Sequence, residues 1–79
     1  MQLFIMISIK KSKVTLPLSD YIIEAKEKYD LVLELLDEKH GFFKDTYKLY
    51  FFSDDVHAKK NLQAFLKYLR KEGFEINEY

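Results

Sequence analysis

Residues 3–9, Leu-Phe-Ile-Met-Ile-Ser-Ile, run almost without polar interruption. Leu3, Ile5, Ile7 and Ile9 fall on one face, Phe4 and Met6 on the other. A β-branched run that is apolar on both faces predicts a central strand, covered on both sides or on one side by a partner. The basic turn Lys10-Lys11-Ser12-Lys13 follows. Val14-Thr15-Leu16 can then pair back as a short second strand, stopped by Pro17, which has no N–H for a ladder.

From Ser19 the period changes. Ser19 is a good N-cap, Asp20 sits where the helix dipole favours an anion, and Leu18 can staple onto Ile23. Tyr21, Ile22, Ala25, Tyr29, Val32, Leu33, Leu35 and Leu36 share one broad stripe at about 100° per residue. The spacing predicts a helix over 20–40, stopped by Gly41 as the left-handed residue, with Phe42 folding back towards Leu36. One residue does not fit. Leu31 projects from the acidic face and has no internal partner.

Strand chemistry resumes over 46–52, where Tyr47, Leu49 and Phe51 alternate with Lys48, Tyr50 and Phe52. Ser53, Asp54 and Asp55 supply a cap and first-turn anions for a second helix over 54–72. Its stripe is Ala58, Leu62, Phe65, Leu66 and Leu69, and its stop is Gly73 with Phe74 reaching Leu69. Residues 74–78 alternate as an edge strand.

The order predicted is β(β)αβαβ in a single small α/β domain, residues 1–79. Strand 42–52, helix 2 and the last strand form a right-handed crossover with parallel strands. The expected fold class is a two-layer sandwich, two helices packed on one face of a small mixed sheet. A ferredoxin-like βαββαβ order needs a hairpin inside residues 42–52, and Lys44-Asp45-Thr46 leaves its first strand too short.

Composition narrows function by exclusion. With 48% apolar and 33% charged residues the chain reads as globular rather than disordered. Thirteen basic residues balance thirteen acidic ones, which argues against a general polyanion binder held by net charge. Cysteine is absent, so disulfides, thiolate nucleophiles and Cys-ligated metals are excluded. The opening apolar run is too short to span a bilayer and lacks the basic region of a secretory signal, so no membrane partner and a cytoplasmic location are expected.

Enzyme motifs are lacking. Two glycines, both read as helix stops, cannot build a phosphate-cradling loop, and there is no Gly-x-Ser-x-Gly elbow. Asp54, Asp55 and His57 can offer metal ligands, but their ordinary reading is first-turn polarity at a helix start. No enzyme, cofactor or metal is expected.

Charge is arranged rather than absent. Residues 20–38 hold seven acids against two lysines, or −5; residues 56–71 hold Lys59, Lys60, Lys67, Arg70 and Lys71 with no acid, or +5. Like charges at i,i+3 and i,i+4 weaken a helix, so the basic face reads as a docking surface for an acidic protein as well as a solvated face. Six tyrosines and seven phenylalanines exceed what two short helices need, so some of Tyr47, Tyr50, Phe43, Phe52 and Tyr68 approach the surface, and an open aromatic sheet face favours a homodimer or a protein partner.

Two stretches resemble known families. Leu3-Phe4-Ile5-Met6-Ile7-Ser8 is similar to the strand-1 motif of RNA-recognition-motif domains, and Tyr50 to Asp54 with Ala58-Lys59-Lys60 to their strand-3-to-helix passage. That resemblance implies base stacking on Phe4, Tyr50 or Phe52. The glycines of the longer motif are absent, as is the hairpin of that fold. Tyr47 to Gly73 resembles the terminal strand–helix–strand of ribonuclease E inhibitor B-type proteins in pattern, with no residue role implied. The function expected is a non-enzymatic protein–protein interaction module, an inhibitor or adaptor that occludes a partner's surface. The alternative is a nucleic-acid-binding domain of RNA-recognition type. The contact residues expected are Lys59, Lys60, Lys67, Arg70, Lys71, Tyr50 and Phe52.

Overall fold

Alternation decides the first strand. In the computed structural model, which describes residues 2–13 and 16–78, β1 (Gln2–Lys10) sends Ile5, Ile7 and Ile9 into the core, while Phe4 and Met6 point the other way. A 3₁₀ turn (Lys11–Lys13) follows, then α1 (Leu18–Tyr29), β2 (Leu33–His40), β3 (Lys44–Phe52), α2 (Ala58–Lys71) and β4 (Glu75–Glu78). The sheet order is β2-β3-β1-β4 and every neighbouring pair is antiparallel. Both helices cover one sheet face, and their buried residues join those of the sheet in one core. The two-layer α/β class therefore holds.

The order within it differs from the expected one. The chain runs βαββαβ, the ferredoxin-like arrangement, and its hairpin joins β2 to β3 rather than lying inside 42–52. The sheet is antiparallel, not mixed, because β4 pairs with β1 instead of with β3. Of the short strand expected at Val14–Leu16, Val14 and Thr15 lie outside the described residues, and Leu16 belongs to no strand.

The cause is the stop of the first helix. Asp30 takes the left-handed conformation (φ 54°), which Asp tolerates because its short polar side chain can bond locally. The Leu31 N–H then donates to the Ala25 carbonyl at 3.0 Å, and Leu31 turns into the core at 1% exposure. Residues 33–40 leave as a strand. Leu33 and Leu35 sit opposite Phe51 and Leu49, and Leu36 is an extra residue at a bulge before Asp37 meets Lys48. Exposed Val32 just before a bulged strand, with Leu35 and Leu36 exposed on it, mimics helical spacing.

Gly41 thus serves a hairpin. Its N–H donates to the Lys44 carbonyl at 2.9 Å, and a Cβ at this position would lie 2.8 Å from that same oxygen. Gly73 does end α2, at φ 104°, and the Phe74 N–H reaches back to the Leu69 carbonyl at 3.1 Å. Helix α2 starts later than expected. Ser53 and Asp55 build a turn ahead of it, with the Asp55 carboxylate accepting the His57 N–H at 2.9 Å.

Between the helices the aromatics pack on one another. The Tyr21 and Phe74 rings meet edge-on at 5.1 Å, Tyr29 and Phe65 at 5.3 Å, and Tyr29 stacks on Tyr68 at 6.3 Å. A hydrogen bond to Glu24 holds the Tyr68 phenol well above its ordinary ionisation range, so this contact carries no phenolate at neutral pH. Much of the aromatic surplus is spent in the core.

Candidate functional site

The expected contact residues do not form one surface. Lys59, Lys60, Lys67, Arg70 and Lys71 are all exposed on α2, in the helical layer. Tyr50 and Phe52 project from β3 onto the opposite, uncovered face of the sheet. The acidic helix is also smaller than expected. Asp20, Glu24 and Glu27 stay on α1 beside Lys26 and Lys28, whereas Glu34, Asp37 and Glu38 lie on β2.

The uncovered face has a built aromatic centre. Phe4 and Tyr50 are register partners on the two central strands, their rings 5.2 Å apart. The Tyr50 hydroxyl donates to Gln2 Oε1 at 3.1 Å, and Lys48 Nζ stands 5.5 Å from the Phe4 ring centre, a cation–π distance. Phe52 follows at 55% exposure.

An apolar band continues around the sheet edge. Strand β2 is an outer strand, and Val32, at 72% exposure, borders two adjoining hollows. The first, about 160 Å³, lies between α1 and the entry to β2 and is walled by Ile22, Ile23, Leu31 and Leu33, with Lys26 and Glu27 at its rim. The second, about 180 Å³, is walled by Glu34, Tyr50 and Phe52. The band therefore runs from Ile23 across Val32 to Phe52 and Tyr50. Sequence pattern misses it because Val32 falls inside the helical stripe.

At the far end of the sheet, Asp45 is a buried carboxylate on the core face. Its Oδ1 has no aligned hydrogen-bond donor; compensation comes from charge, with His40 Nδ1 at 3.1 Å and Lys11 Nζ at 3.4 Å. His40 Nε2 also meets Glu38 Oε1 at 2.8 Å. Glu38 first, and Asp45 second, raise the His40 pKa above 6.5. A raised folded-state value means that protonated His40 stabilises the hairpin fully below the unfolded pKa of 6.5, and that this is lost as pH rises through the folded value. The expected result is a His40 ring that titrates above 6.5 by NMR, and a His40→Gln variant that removes the associated pH dependence of unfolding.

Among the described residues no cluster of three His, Asp or Glu side chains could hold a metal ion, and no helix is long and apolar enough to cross a membrane. No protein-family model matches the chain, and no curated protein matches it. Its fold is similar to that of a solved de novo designed protein, Foldit4, at 15% identity and a TM-score of 0.66, covering 99% of this chain and 93% of that one. At that identity the likeness concerns the fold alone.

Proposed function

We propose that this protein is a non-enzymatic interaction module that works by covering an apolar protein surface, and that the first such surface is that of a second copy. The observation that carries the reading is the band of exposed Ile23, Val32 and Phe52, ending on half-buried Tyr50, around an outer strand. A domain of this size leaves a large share of its apolar surface wet and gains from association. The band also carries both signs of charge, Lys26 against Glu27 and Glu34. In a two-fold contact each lysine can meet the copy's carboxylates. Sedimentation at micromolar concentration should give twice the 9.5 kDa chain mass, and Val32→Glu should return it to one. A single-chain mass at every concentration would remove the second copy as partner.

The nucleic-acid reading has one specific support, the Phe4–Tyr50 pair beside Lys48 on the two central strands. Bases stack on such rings at a cost of about 1–3 kcal/mol per ring when the ring is changed to Ala. Under this reading Phe4→Ala and Tyr50→Ala each weaken oligonucleotide binding while leaving the fold intact.

A further inference from the structure

The β2–β3 hairpin combines three features that stability does not explain. Phe42 and Phe43 are 88% and 78% exposed, their rings edge-to-face at 4.8 Å. Lys10 and Lys44 are direct register partners on the uncovered face, and like charges placed opposite each other destabilise a sheet. Neither lysine forms an ion pair among the described residues, whereas Lys11 beside them is bound to Asp45. Together with Ser12 these side chains line a cleft of about 390 Å³. The Lys11 N–H donates to the Phe43 carbonyl at 2.9 Å, which ties the end of β1 to the hairpin and fixes the cleft's two walls.

We infer that this hairpin cleft binds single-stranded nucleic acid, with phosphates on Lys10 and Lys44 and bases against Phe42 and Phe43. The inference rests on the nucleic-acid reading for its ligand class, but on different residues. Flat rings next to unneutralised ammonium groups match a polymer that alternates bases and phosphates. An acidic protein segment would satisfy the lysines and leave two wet phenyl rings without flat partners. The cations continue along β3 to Lys48 and the Phe4–Tyr50 pair, on a path bordered by Asp37 opposite Lys48, Glu34 opposite Tyr50 and Glu75 opposite Ser8. Lys10 lies six positions from Phe4 on β1, about 20 Å of strand, room for several nucleotides on one path.

Fluorescence anisotropy with labelled eight-nucleotide oligo-dT and oligo-U tests this on the full chain, with phosphatidylserine vesicles as a second probe. Wild type should bind both oligonucleotides, with affinity falling as salt rises at about 0.7 per phosphate neutralised on a logarithmic plot. The double variants Phe42→Ser/Phe43→Ser and Lys10→Glu/Lys44→Glu should each weaken binding about tenfold or more. These residues are exposed, and circular dichroism verifies that each variant is folded. Phe4→Ala/Tyr50→Ala separates the two readings: loss there with unchanged tip variants overturns the hairpin cleft and keeps the sheet-face site. Loss in the tip variants alone keeps the cleft and removes the sheet face. Adsorption to anionic vesicles without oligonucleotide binding overturns both.

Discussion

Changing Phe51 to Ala should leave the protein largely unfolded at room temperature. Phe51 is fully buried near the end of β3, a central strand, with Leu3 beside it on β1 and Leu33 on β2. Truncating such a ring removes its transfer energy and leaves a cavity, about 3–5 kcal/mol together. A domain below about 80 residues rarely has more than about 3–5 kcal/mol to lose. Phe52→Ala is the natural control, since the next side chain along points to solvent and its removal should cost no more than about 0.5 kcal/mol. Urea unfolding followed by circular dichroism compares the two. Near-equal costs would mean that the register of β3 is wrong.

The second large effect is expected at Leu31. In a helix running through to residue 40, Leu31 would face water and Leu31→Asp would be nearly silent. In the observed fold Leu31 is buried directly after the left-handed Asp30, beneath the hollow between α1 and β2. A carboxylate there must stay desolvated among apolar side chains or force the segment open towards Lys26 at the rim of the hollow. Loss of more than about 4 kcal/mol follows, the range reached by burying an unpaired charge. Leu36→Asp, at the exposed bulge, should be tolerated. If Leu31→Asp melts like wild type, the stop at Asp30 is refuted.

That contrast also marks what the residues reveal unaided. β1, β3, α2 and β4 are legible because each has one clean period and a recognisable stop, Gly73 above all. β2 is hidden because a bulge at Leu36 shifts its apolar positions onto helical spacing, and because Asp30 is not a residue type that announces a helix end. The orphan Leu31 was the available clue: an apolar side chain on a charged helix face signals that the helix has already ended. The surfaces follow the same logic. Tyr50 and Phe52 are readable as outward residues from β3 alternation, yet their separation from the α2 cations depends on layer geometry. Phe43 is readable as a surface aromatic, but the exposure of Phe42 is hidden once Gly41 is taken as a helix stop and Phe42 is folded back onto Leu36.

The placement of β1 has a kinetic consequence. It lies between β3 and β4, so Ile5 pairs with Leu49 on one side and with Glu78 on the other. Both ladders join residues 2–10 to much later segments, and such distant closures slow folding relative to a helical domain of equal length. During synthesis this highly apolar strand emerges before both of the strands that flank it and must wait for them. One of its edges stays open until β4 has been made, which leaves unpaired backbone groups beside the apolar side chains of Leu3–Ile9 during that interval.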